Sequence, residues 1–133
     1  MNNKEIIESY PWLALYDDHS NLIEDTTLLD ELPKGWRELV LDMCYDIGEA
    51  LYEYDIPKDK YQVLEAKEKW GVLSWCDYLG TWDKETLDIM PDEVDEVVQE
   101  YENKSKEVCM GCGATIEPNE LMCRECERKI NER

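Results

Sequence analysis

The sequence predicts an α+β fold: a small acidic body of two main helices and a β-hairpin over residues 1–104, followed by a C-terminal zinc-ribbon module over residues 105–133. Three observations predict it. Two long segments repeat apolar residues at helical spacing. Between them, a run of β-formers surrounds a Trp-Gly pair. Two C-x-x-C pairs then lie within residues 109–126. The charge divides at the same place. Residues 1–104 carry 27 acids against 9 bases, and residues 105–133 carry 6 against 5.

Asn2–Ser9 has the composition of a short helix, stopped ahead of Pro11. Tyr10–Leu15 reads as an apolar, extended patch. Asp17–Leu32 is polar and turn-prone, and predicts an ordered loop anchored on the core by Leu22, Ile23, Leu28 and Leu29.

The first strong helix is predicted from about Lys34 to Tyr54. Trp36, Leu39, Val40, Met43, Cys44, Ile47, Ala50 and Leu51 share one face, while Glu38, Asp42, Asp46, Glu49 and Glu53 share another. Like charges four apart cost roughly 0.2–0.5 kcal/mol per pair. Burial of each large apolar side chain returns about 1.5–3 kcal/mol, which decides the matter. Asp55 and Pro57 end the helix.

Tyr61–Lys67 and Val72–Tyr78 predict two strands joined through Glu68–Gly71. Trp70 and Trp75 are expected to anchor the core, with ligand stacking as the other use of those rings. Asp83–Met90 predicts a helical turn. A second strong helix follows from Asp92 to about Lys106, with Val94, Val97, Val98 and Tyr101 in one stripe. Asp92, Asp95, Glu96, Glu100 and Glu102 cover its remaining surface.

The tail carries the sharpest chemistry. Cys109 and Cys112 form one pair, Cys123 and Cys126 the other, with ten residues between the pairs. Each pair suits a tight knuckle, and four thiolates match the tetrahedral preference of one structural zinc ion. Gly113 follows the first knuckle, where a left-handed backbone is often needed. Short segments at Ala114–Glu117 and Glu120–Met122 suit a small hairpin between the knuckles. Iron is the minor chemical alternative. Two disulfides are disfavoured in a chain whose first ten residues lack the order of a secretion signal and which has no apolar run near the ~20 residues of a membrane span. These features predict a cytoplasmic protein. A filled four-cysteine site leaves no position for an activated water, so it predicts a structural role.

Cys44 and Cys76 sit in apolar patterns and are expected to be buried thiols rather than half of a Cys–His pair with His19. Phosphate-binding glycine loops, G-x-S-x-G and H-E-x-x-H are missing from the sequence, and no enzyme activity is expected. A formal charge of −19 disfavours nucleic acid and anionic membranes as partners.

The Cys109–Cys126 segment resembles short zinc-ribbon modules, except that Glu127 stands where a glycine often follows the second knuckle. The body resembles an uncharacterised group of small phage- and prophage-encoded proteins. The matching residues are Tyr10-Pro11-Trp12, Leu32-Pro33-Lys34-Gly35-Trp36-Arg37, Met43-Cys44 and Gln62 through Trp75. The last of these resembles a Q-x-x-x-K-E-K-[FYW]-G-x-L-x-[FW] signature, matching it in register from Lys67 to Trp75 and carrying four residues rather than three between Gln62 and Lys67. Ser74 replaces a frequent basic residue there, and Cys76 a frequent tyrosine. The resemblance implies a mobile-element origin and a four-cysteine tail, and brings no activity with it.

The expected function is therefore a non-enzymatic, zinc-containing interaction protein. Its acidic faces, Glu38, Asp42, Asp46, Glu49, Glu53, Asp92, Asp95, Glu96 and Glu100, would meet a basic surface on a host or phage protein. Lys67 and Lys69 read either as a solubilising hairpin tip or as a recognition point for an anionic group. The alternative is a nucleic-acid adaptor using Lys104, Lys106, Arg124, Arg128, Lys129 and Arg133, a patch that Glu107, Glu125, Glu127 and Glu132 interrupt. A small-molecule binder with Trp70 and Trp75 beside the two lysines is less favoured.

Overall fold

Helical periodicity places the core before any other feature does. In the computed structural model, which describes residues 2–80, 90–117, 120 and 122–131, the apolar stripe of helix α2 (Arg37–Glu53) is buried at Val40, Met43, Cys44, Ile47, Ala50 and Leu51. A single 3₁₀ turn, Lys34–Trp36, leads into α2 after Pro33 and buries Trp36 completely. The helix stops at Tyr54, and Asp55 takes a left-handed conformation at φ 56°.

Helix α1 (Asn3–Ser9) is short. The Asn2 side chain accepts a hydrogen bond from the Glu5 amide at 2.9 Å and caps it. Pro11–Leu13 then form a 3₁₀ turn rather than the extended patch expected, burying Trp12 and Leu13.

The expected loop at Asp17–Leu32 is a second small sheet. Strand β1 (Ala14–Tyr16) pairs antiparallel with β2 (Leu22–Thr27) through an irregular register. The intervening turn is built by Asp17, whose Oδ1 accepts from the His19 and Asn21 amides at 2.8 and 3.0 Å. Alternation was too weak to announce β2, because Leu22, Glu24 and Asp25 are all exposed. After it, Thr27 and Asp30 form a reciprocal capping box for a 3₁₀ turn that buries Leu28 and Leu29.

The predicted hairpin is β3 (Tyr61–Lys69) and β4 (Val72–Leu79), antiparallel, with a bulge between Val63 and Glu65. Trp70 and Gly71 make the two-residue connection, both at positive φ, 56° and 82°. Tyr61, Ala66, Leu73, Trp75 and Leu79 are buried. Trp70 corrects the sequence-based expectation of a core anchor: it is 95% exposed, because it occupies the turn and not the inward register. Cys76 is exposed for a related reason, since its partner in the register is exposed Glu65 on the outer face.

Helix α3 (Asp92–Lys104) buries Val94, Val98 and Tyr101 and packs against both α2 and β4. Its C-terminal continuation to Glu107 is a 3₁₀ turn. The helical turn expected at Asp83–Met90 falls, apart from Met90, outside the described residues. Helix α4 (Arg124–Asn131) carries the last cysteine. The fold is thus α+β, with two antiparallel hairpin sheets, four α-helices among the described residues and a zinc-ribbon-like cysteine module. Among those residues, no helix is long and apolar enough to cross a membrane.

A polar chain runs through the core. Trp75 Nε1 donates to the Tyr61 hydroxyl at 2.8 Å, and that hydroxyl donates to Asp77 Oδ2 at 2.5 Å. The Trp12 ring meets Tyr61 edge-on, and Trp12 Nε1 donates to Cys44 Sγ at 3.2 Å. Every buried polar side-chain atom among the described residues finds a partner.

Candidate metal centre

The first knuckle is shaped by its backbone. Cys109 N donates to Ala114 O at 2.7 Å and Gly113 N returns to Cys109 O at 2.9 Å. That tight loop needs the positive φ of Gly113, 85°. The amides of Gly111 and Cys123 both point at Cys109 Sγ, at 3.3 Å each. Val108 and Thr115 form a single antiparallel bridge that closes the first knuckle, in place of the pairing expected between Ala114–Glu117 and Glu120–Met122, part of which lies outside the described residues.

The second pair is presented differently. Cys123 immediately precedes α4, and Cys126 lies in its first turn, where Glu127 N bonds to Cys123 O at 3.0 Å. This explains Glu127. A helix needs no left-handed residue after Cys126, so no glycine is required.

The four sulfurs of Cys109, Cys112, Cys123 and Cys126 lie within 4.8 Å of one another, and those of Cys112 and Cys123 are 3.6 Å apart. Four sulfurs at ~2.3 Å from one ion would be separated by about 3.8 Å, so the donor set matches a tetrahedral thiolate site in chemistry and in size. A disulfide needs about 2.05 Å between its sulfurs. These residues can hold a metal ion. Burial resists ionisation of the Cys109 thiol, but amides of Cys123, Cys112 and Gly111 outweigh it and bring the thiol down to about 6. Cys126 lies among its neighbours' thiols, led by Cys123, and is pushed up to about 12. A bound cation would remove that asymmetry by ionising all four.

The module is seated on the body through Gly35 and Trp36, residues outside the cysteine motif. Gly35 N donates to Met110 O at 2.8 Å, and Trp36 Nε1 donates to Val108 O at 3.3 Å. A Cβ at Gly35 would stand 2.1 Å from Cys109 O and 2.7 Å from Gly113 N. Gly35 is therefore required by a backbone-on-backbone approach. A cleft of about 600 Å³ opens beside this contact, lined by Lys34, Arg37, Glu38, Asp42, Gly111 and Cys112 among others.

The acidic residues do not form one patch. On α2, Glu38, Asp42, Glu49 and Glu53 are exposed, whereas Asp46 is half-buried and accepts the Tyr101 hydroxyl at 2.5 Å. Asp46 thus ties α2 to α3. Exposed Tyr45 and Tyr52 lie along the same helix and line a cleft with Glu49. On α3, Glu93 lies toward α2. The Glu53 carboxyl shares a hydrogen bond with Glu93 and raises its pKa, with Glu96 adding to the shift. Asp95 instead lies toward β4, where it and Glu102 raise the pKa of Asp77, whose largest cause is burial. Asp92 is exposed at the start of α3, and Glu100 pairs with Lys104 at 3.5 Å. Glu93 was missed because only the packing of the two helices brings it to Glu53.

Lys67 pairs with Glu65 at 2.6 Å, and Lys69 stands at the end of β3. Cys44 is sealed in the core, and burial pushes its thiol up to about 12, although the Trp12 hydrogen bond opposes this. It therefore offers no thiolate near neutral pH. His19 is exposed in the β1–β2 turn.

Comparison of the chain with family models, with curated proteins and with solved structures finds no match.

Proposed function

We propose that this chain is a non-enzymatic acidic interaction protein whose tail is built on one structural zinc ion. Its acidic α2 face docks on the basic surface of a host protein, in the cytoplasm, and blocks that surface. The observation that carries the reading is the pairing of charge with exposed aromatic area. Glu38, Asp42, Glu49 and Glu53 are exposed along α2, and Tyr45 and Tyr52 are 59% and 82% exposed beside them. Tyrosines supply contact area at low entropic cost, while the carboxylates steer and select a cationic partner. A solubilising surface has no need of exposed tyrosines. The mobile-element origin rests on the resemblance of the hairpin and of the Leu32–Arg37 segment. Zinc is favoured over other ions by four thiolates at tetrahedral spacing.

The test is affinity capture from bacterial cytosol by the wild-type chain and by a Glu38→Lys, Asp42→Lys, Glu49→Lys, Glu53→Lys variant, at low and high salt. The expected result is a basic protein held by the wild type at low salt, weakened by salt, and weakened about tenfold or more by the charge reversals. Retention unaffected by salt and by the substitutions would reject the reading.

A further inference from the structure

Trp70 does nothing for the fold that a smaller residue would not do better. Its ring is 95% exposed, and its backbone lies at φ 56°, a region bulky residues rarely occupy. Two-residue turns of this kind favour asparagine followed by glycine. Yet the turn is held firmly. Gly71 N donates to Glu68 Oε1 at 2.6 Å, and strand pairing is unbroken from Glu65↔Cys76 to Lys69↔Val72. Behind it, Leu73 N donates to Ser105 Oγ at 2.9 Å and Trp75 N to Glu102 Oε2 at 3.0 Å, fastening β4 to α3. A strained, solvated indole on a rigid support has the properties of a preorganised binding anchor.

The surrounding charge indicates what such an anchor fits. Glu65 is engaged by Lys67, Glu68 by the Gly71 amide and Glu102 by the Trp75 amide. Lys69 and Lys106 line an open cleft of about 350 Å³ at the base of the turn, together with Val72, Asn103 and Glu102. Among the described residues neither lysine forms a salt bridge. In a chain of net charge −19, two exposed lysines thus stand beside an aromatic anchor, while the nearby Glu68 and Glu102 carboxylates are turned onto backbone amides.

We propose that Trp70, Lys69 and Lys106 form a docking surface for a protein whose apolar pocket is rimmed by carboxylates, Trp70 filling the pocket and the lysines meeting its rim. This surface is separate from the α2 face and does not depend on it. A nucleic-acid strand stacked on Trp70 is disfavoured, because two lysines neutralise few phosphates and the rest of the chain repels them.

Three full-length variants test the proposal. Trp70→Asn is expected to unfold about 2–4 °C above the wild type, because turn strain is relieved and no burial is lost. In capture from bacterial cytosol, the wild type should retain a protein that Trp70→Asn and the Lys69→Glu, Lys106→Glu double variant each retain about tenfold less. The same protein, purified, should lose affinity by a similar factor, and the α2 charge-reversal variant should still bind it. The proposal is overturned by a lower unfolding temperature for Trp70→Asn, or by the absence of any protein whose retention falls with both variants. It is also overturned if a single-stranded oligothymidylate binds the wild type and is lost by Trp70→Asn.

Discussion

The body and the tail of this molecule reach order by different physical routes. From Ile6 to Tyr101 a continuous apolar cluster is buried, with Trp36, Val40, Met43, Ile47 and Leu51 fully enclosed. From Val108 onward, the buried side chains among the described residues are Cys109 and Ile116. Two side chains cannot offset the entropy of ordering more than twenty residues, at about 1–2 kcal/mol for each backbone unit. Apart from the contact with Gly35 and Trp36, order in the tail would therefore have to come from an ion held by the four cysteines, which are placed to hold one. The contrast shows how an appendage with almost no core can present a fixed surface, provided that an ion and a docking groove replace the missing apolar area.

The largest effect should come from removing the ion. Chelation would withdraw an apparent binding free energy of about 10–16 kcal/mol that is also the tail's folding free energy, and Cys123→Ser a part of it. Hydrogen exchange should then show residues 108–117 and 122–131 losing protection, while β3, β4 and most of α2 keep theirs. Equal loss across the hairpin would break the contrast between the two regions.

Gly35→Ala should follow in size, and it tests the joint between them. A methyl group placed 2.1 Å from Cys109 O forces the knuckle off its seat. Overpacking of this kind costs about 1–3 kcal/mol, which a competition titration with a metal chelator would read as weaker metal binding. Helical circular dichroism of the body should hardly change.

Trp75→Phe perturbs the body alone. It removes the indole donor to the Tyr61 hydroxyl, at a cost of about 1–3 kcal/mol. The unfolding temperature should fall while the metal content per chain stays constant.

The smallest expected effect is at Asp77. Burial raises its carboxyl pKa, the Tyr61 hydrogen bond opposes that, and Asp95 and Glu102 raise it further. The folded state therefore holds this proton more tightly than the unfolded chain does. Its contribution is complete below the ordinary value of 3.8 and is lost as pH rises through the raised folded value. Asp77→Asn keeps an acceptor for Tyr61 and removes the charge. Its unfolding temperature relative to wild type should be independent of pH below 3.8 and should climb above it. A variant-minus-wild-type difference that falls as pH rises would contradict the sign.

Local pattern was enough to read the two long helices, the β3–β4 hairpin and the metal quartet. Each rests on spacing within a short window: the Val40–Leu51 stripe, the β-formers around Trp70-Gly71, and the paired cysteines. What escaped depends on contacts distant in the chain. The β1–β2 pair has little alternation, so its burial pattern gave no signal. Gly35 is needed by Cys109, 74 residues later, and nothing near Gly35 announces that. Trp70 was misread because its type suggested the core, while its position before Gly71 already marked a turn. Asp46 was grouped with the surface acids until the packing of α3 placed Tyr101 against it.

The claim on which the rest depends is that the tail is organised by a metal ion held by Cys109, Cys112, Cys123 and Cys126. Native mass spectrometry of the purified chain, followed by alkylation after denaturation in chelator, tests it most directly. The account predicts one zinc ion per chain and all six cysteines alkylated. A metal-free chain in which only Cys44 and Cys76 take the label, with the tail cysteines joined as disulfides, would contradict it.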